Sequence, residues 1–168
     1  MATLSAVFEE LNALRAQGVL ADYAIGGATA TLFYAEPTRT YDLDVFILLA
    51  PRDSASLAPL TGIYNWARER GFQEDAEHIL MHGVPVQFLP AHNPLAEEAV
   101  AQGRTLDYAG VPVKVVGPEH LAALAFQAGG RRRRERAWQL IESGSTDRGV
   151  LRDLLRRHAI NESIDDEG

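Results

Sequence analysis

The stretch "YAIGGATATLFYAEPTRTYDLDVFILL", Tyr23–Leu49, decides how the rest of the chain is read. A glycine pair, Gly26-Gly27, interrupts what would otherwise be a continuous apolar strand. Two aspartates, Asp42 and Asp44, stand one residue apart at the mouth of a second, strongly apolar run. "ADYAI" reads as a short strand, and "GGATATLFYAE" as a turn into a helix that begins near Ala28 and is broken by Pro37. "DLDVFILLA" reads as a buried strand, branched and aromatic, without polar alternation after Asp44. Residues two apart on a strand point to one face, so Asp42 and Asp44 present their carboxylates side by side. Such a pair repels, and one pKa rises unless a positive charge lies between them. Hard oxygen ligands of this kind select Mg²⁺ or Mn²⁺. Glycine at 26 and 27 lets backbone approach a ligand closely and aims the N–H groups of the next helix at an anion. A metal site and an anion cradle on neighbouring elements are the equipment for holding a nucleoside triphosphate. The plainer readings are a solvated strand end for the aspartates and a tight helix–strand turn for the glycines.

Outward from this stretch, the apolar residues Val7, Phe8, Leu11 and Leu14 recur at helical spacing in a first helix, capped by Ser5 and ending at Gly18. A further helix covers Leu60–Arg70. "HILMHGVPVQFLPA" reads as two strands around His82-Gly83, Asn93 caps a helix through Gln102, and "TLDYAGVPVKVVGP" is a hairpin turning at Ala109-Gly110. From Pro118 the chain is helical, in three segments separated by Gly and Ser-Gly-Ser-Thr breaks. The order is that of an α/β (α+β) protein, a mixed sheet flanked by helices with a helical C-terminal portion. We expect a core over residues 1–117, a helical segment over 118–159, and an acidic, flexible tail over 160–168.

The 168 residues fit one domain with a modest core. No segment is apolar over the length needed to cross a membrane, and the N-terminal helix carries acids that a signal peptide lacks. The absence of cysteine excludes disulfides and thiolate metal sites and fits a cytoplasmic protein. The net charge of −7 is unevenly spread: residues up to Gly130 balance at −8, whereas Arg131–His158 balances at +5. Arg131–Arg134 therefore fits contact with RNA or a phosphate chain, but equally a solvated helix start held by the acidic body or tail. Trp66, Phe88, Phe126 and Trp138 read as core. His78 and His82 are four apart, but the "ILM" between them reads as strand, which separates them too far for one zinc ion.

The ordered pair Ile25-Gly26-Gly27 and Asp42-Leu43-Asp44-Val45 resembles the signature of the nucleotidyltransferase superfamily, the DNA polymerase β-like fold. Its more local features, "GGATATLFY", "RTYDLDVF" and "VKVVGPEHLAALAF", are similar to AbiEii/DUF-type bacterial proteins, some of which are toxins of toxin–antitoxin pairs. The resemblance implies a Mg²⁺- or Mn²⁺-dependent transfer of an NMP from an NTP to an RNA, protein or small-molecule acceptor, with an antitoxin as a further partner. It implies that Gly26 and Gly27 contact the β,γ-phosphates, with Thr29 and Arg39 as further nucleotide contacts, and that Asp42 and Asp44 are the catalytic metal ligands. The family's third carboxylate falls on Gln87 of "Val84-Pro85-Val86-Gln87-Phe88-Leu89", and its helix lysine on Ala125. An amide offers a metal an oxygen but neither charge nor basicity. Either catalysis is impaired, leaving a nucleotide- or partner-binding module, or His78, His82 or Glu77 substitutes. A third reading gives the aspartate pair no ligand at all.

Overall fold

A computed structural model describes residues 4–31, 33–34, 42–51, 53 and 56–165. In chain order the elements are α1 (Leu4–Ala16), β1 (Leu20–Gly26), α2 (Gly27–Thr31), β2 (Leu43–Leu49), α3 (Thr61–Glu69), β3 (Gln73–Asp75) and β4 (His78–Met81). Then come β5 (Val84–Pro90), α4 (Pro94–Ala101), β6 (Arg104–Tyr108), β7 (Val111–Val115), α5 (Pro118–Ala128), α6 (Arg131–Glu142) and α7 (Arg148–Arg157). The strands form one mixed sheet in the order β3-β4-β5-β2-β1-β7-β6, in which β2 runs antiparallel to β1 and parallel to β5.

The sheet has two differently furnished faces. Leu43, Val45 and Ile47 of β2 are fully buried, whereas Asp44, Phe46 and Leu48 between them are only half-buried. The run "LDVFILL" thus conceals the period of two expected of a strand, because large apolar side chains occupy both faces. The first face is packed under α1, whose Val7, Phe8, Leu11 and Leu14 are fully buried. Tyr23 belongs to this side, and its hydroxyl donates to Asn12 Oδ1 of α1 at 2.6 Å. The second face, which carries Asp44 and Phe46, lies beneath α5 and α6 and leaves a cleft.

Three local expectations change. Ser5 lies inside α1 rather than capping it. The helix after the glycine pair is only five residues long, Gly27–Thr31, and Phe33–Tyr34 already form a turn; Pro37 lies outside the described residues. β3 was not foreseen, since all three residues of "QED" are polar and exposed and carry no apolar signal. By contrast, Asn93 caps α4 through a bond from the Ala96 N–H at 2.9 Å, and Ala109-Gly110, both at positive φ, turn the β6–β7 hairpin. Trp66, Phe88 and Phe126 are buried, and Trp138 is half-buried with its ring edge-on to Phe126.

The described part of the tail, residues 160–165, lies along α6 and α7. Ile164 is 1% exposed, Glu162 pairs with Arg134, the Arg148 guanidinium donates to the Ile164 carbonyl at 2.9 Å, and Arg152 reaches Asp165 at 2.6 Å. Truncating a fully buried isoleucine costs about 2–4 kcal/mol through lost transfer energy and residual cavity. Ile164→Ala should therefore lower the urea-unfolding free energy by that amount. A loss within about 0.5 kcal/mol, the usual effect of a surface substitution, would mean that the tail does not dock in solution.

Candidate functional site

The site begins where β1 and β2 pair, with Ala24 opposite Phe46, Ile25 opposite Val45 and Gly26 opposite Asp44. The Phe46 ring lies directly over Gly26, so that a Cβ there would overlap its edge. Gly27 has φ +60°, a conformation L side chains rarely adopt, and a Cβ on it would collide with Asp44 Oδ2 and stand 3.1 Å from Asp44 Cγ. The glycine pair and the second aspartate are thus one feature. The two glycines leave the volume that Phe46 and the Asp44 carboxylate occupy.

Strand pairing extends this feature sideways. Paired residues share a face, so Gly26, Asp44 and its β5 partner Gln87 lie in one row across the sheet. His78, the residue before the Ile79–Val86 pair, continues that row. Its Nε2 stands 3.3 Å from Asp42 Oδ2 and its Nδ1 3.7 Å from Glu77 Oε1. His82 is elsewhere: it sits at φ +49° in the β4–β5 turn, 3.3 Å from Glu10 and edge-on to Phe72. Of the three substitutes considered for the third carboxylate, His78 reaches the aspartate pair and Glu77 touches it only through His78. His82 does not reach it.

Above this row, α5 and α6 enclose a cleft of about 190 Å³. Its wall includes Gly27, Asp44 and Phe46 from the sheet side, Ala125 from α5, and Arg133 and Arg136 from α6. Burial pushes the Asp44 carboxyl above its ordinary value, and the neighbouring Asp42 charge pushes it further; Arg136, His78 and Arg133 pull the other way. Burial likewise lowers the Arg136 pKa, against the attraction of Asp44. Thr29 is buried, and its Oγ1 donates to the Asp42 carbonyl at 3.2 Å, which ties the start of β2 to α2. Arg39 lies outside the described residues.

The donors suit a hard divalent cation. Two neighbouring carboxylates, the charge of Asp42 helping to raise the Asp44 pKa, with the amide-bearing Gln87 paired to Asp44, match the few protein ligands that Mg²⁺ takes when phosphate and water complete its shell. No group of three or more His, Cys, Asp or Glu side chains among the described residues could hold a metal alone. The sequence marks Arg133 only as one of the Arg131–Arg134 run and does not single out Arg136. The arginine run was visible, but the turn that lays α6 over the cleft was not.

The Asp44 shift fixes a pH dependence. The folded protein holds this proton more tightly than the unfolded chain, so stability falls as pH rises through the carboxylate range and stays reduced at neutral pH. In metal-free buffer at neutral pH, Asp44→Asn should melt above the wild type, with the gap closing as pH falls below about 4, the ordinary Asp value. Added Mn²⁺ should raise the wild-type melting temperature and leave Asp44→Asn unmoved. A variant that melts below the wild type in metal-free buffer would contradict the assignment.

No protein-family model matches the sequence, and no curated protein matches it. Solved structures do. The chain is similar to an antigenic nucleotidyltransferase-like protein from Paracoccidioides brasiliensis, at 18% identity and TM-score 0.59, over 93% of this chain and 87% of that one. It is also similar to the antibiotic-resistance factor ANT(2'')-Ia in solution, at 15% identity and TM-score 0.52, over 92% and 90% of the two chains. Against the crystal structure of ANT(2'')-Ia with adenylyl-2''-tobramycin the identity is 15% and the TM-score 0.54, over 92% and 98%. At such identities the likeness is one of architecture, and the chain has the nucleotidyltransferase-like fold.

Proposed function

We propose that the cleft is a nucleotide site and that the protein transfers an NMP from an NTP to an acceptor hydroxyl. The observation that carries this reading is the fit of Gly27 against Asp44, which joins a close-approach backbone to a metal-type carboxylate in one cleft, with the Asp42 charge acting on it from two residues away. Asp42 and Asp44 would hold Mg²⁺ or Mn²⁺, which supplies charge neutralisation on the phosphates and orientation of the attacking oxygen. Of the glycine pair, Gly27 lines the cleft and would admit the β,γ-phosphates to the backbone, with Gly26, under the Phe46 ring, setting the turn before it. Thr29 keeps the Asp42 backbone in place, and Arg39, three residues before Asp42, is a further candidate for the phosphates. The acceptor oxygen would bond to the α-phosphorus as the bond from that phosphorus to the α–β bridging oxygen breaks, with pyrophosphate leaving and the hydroxyl proton passing to water. The structural likeness to ANT(2'')-Ia supports the reaction class, and the AbiEii-like stretches support an RNA or protein acceptor and a toxin opposed by an antitoxin.

One observation favours a second reading, a module of the same fold that binds nucleotide or a partner without turnover. Gln87 occupies the strand position beside Asp44 and brings no charge to it.

Calorimetric titration of ATP, GTP, CTP and UTP in the presence of Mn²⁺ tests both readings. At least one NTP should bind, and Asp42→Asn/Asp44→Asn should weaken it by at least about tenfold, or 1.4 kcal/mol. Binding that is followed by no label transfer to RNA, to protein or to the chain itself would favour the second reading. No binding by the wild type would remove both.

A further inference from the structure

The arginine run is sorted by the way α6 lies. Gly129 and Gly130, at φ +72° and +88°, reverse the chain after α5 so that α6 returns over the cleft. On its outer sides Arg131 pairs with Glu135 at 3.1 Å and Arg134 pairs with Glu162. Arg133 and Arg136, three apart and hence on one face, turn to the cleft instead. Neither makes a hydrogen bond or ion pair among the described residues, and Arg136 is half-buried. The same two arginines also border an adjoining hollow of about 400 Å³, walled by Gly129–Arg133 and Arg136. Half-burying an unpaired cation is unfavourable unless an anion comes with it. The anion acting on both is Asp44, and a divalent cation on Asp44 would cancel that compensation. Whatever brings the metal must therefore bring negative charge for the two guanidinium groups as well.

We propose that Arg136 and Arg133 are the phosphate-chain ligands of this cleft, supplying from α6 the positive charge that α5, with Ala125 at its wall, does not. The proposal rests on the nucleotide-site reading above and adds the residues that position the triphosphate against it. Guanidinium groups suit this role, since each can offer two parallel N–H donors to a phosphate. The location also gives the cleft a sign: its α6 wall attracts polyanions and disfavours a polycationic acceptor.

The test uses inorganic tripolyphosphate with a chelator present, so that neither base nor metal takes part. Titrated calorimetrically into the full-length protein, it should bind the wild type. Arg136→Gln should weaken binding by about tenfold or more, and Arg133→Gln by a smaller factor, as expected for lost charge-assisted bonds. Arg156→Gln, a control on a 76% exposed side chain of α7 that pairs with Asp153 away from the cleft, should change it less than about twofold. Asp44→Asn should strengthen it, because the competing anion is gone. The proposal is overturned if the wild type does not bind, if Arg136→Gln or Arg133→Gln binds as well as the wild type, if Arg156→Gln loses as much as they do, or if Asp44→Asn binds more weakly. Tripolyphosphate binding without NTP binding would sink the nucleotide reading while leaving the arginine wall standing. NTP binding that Arg136→Gln leaves untouched would do the reverse.

Discussion

The pairing of Gly26 with Asp44 is the constraint on which the rest depends. Antiparallel pairing sets strand backbones about 5 Å apart, and a carboxylate beside its cross-strand neighbour normally has a side chain to contend with. Here the neighbour has none, and the following residue, Gly27, curls past the carboxylate at a φ that only glycine tolerates well. The same absence seats the Phe46 ring over Gly26. Two missing side chains thus let an apolar strand centre and a charged strand end share one face. A residue with a Cβ at either position would have to displace the Phe46 ring or the Asp44 carboxylate, and so disturb the row that runs through Gln87 to His78.

Electrostatics then divides the molecule. Within the acidic body Asp42 repels Asp44, and burial of Asp44 makes its charge costlier still. The compensating charges come from far along the chain, on α6, and from His78 at the other end of the row. Neither source neutralises the pair by direct contact with Asp44, and on the proposed reading that balance favours a cation and an anion together over either alone. Elsewhere the opposite strategy holds: Glu98 accepts bonds from Arg157 and His158, which outweigh the burial that would otherwise raise its pKa, and the cluster knits α4 to α7.

Much of this was legible from residues whose local physics leaves little choice. Gly-Gly between apolar runs, Asn93 before Pro94, and Ala109-Gly110 between alternating strands each specify a turn or cap without reference to the rest of the chain. The mutual nearness of Gly26, Gly27, Asp42 and Asp44 followed because strand–turn–helix and strand alternation act over short distances. What was hidden depended on tertiary choices. β3 forms only because β4 offers it an edge. The extent of α2 was overread because apolar spacing continues past Thr31. The placement of the arginine run turns on two glycine φ angles that composition does not reveal. His78 and His82, equivalent in the sequence, were separated by a hairpin that faces them to different neighbours.

The docking of residues 160–165 onto α6 and α7 makes the far end of the chain a part of the cleft's scaffolding. Glu162 holds Arg134 on the outer side of the same helix whose inner side presents Arg133 and Arg136, while Ile164 wedges into the core beneath. The rotation of α6 about its own axis, and so the reach of its inner guanidinium groups, is set jointly by the Gly129-Gly130 reversal and by this strap. Any sequence fused close behind the strap will pull on that rotation. Affinity handles for work on ligand binding therefore belong at the other terminus.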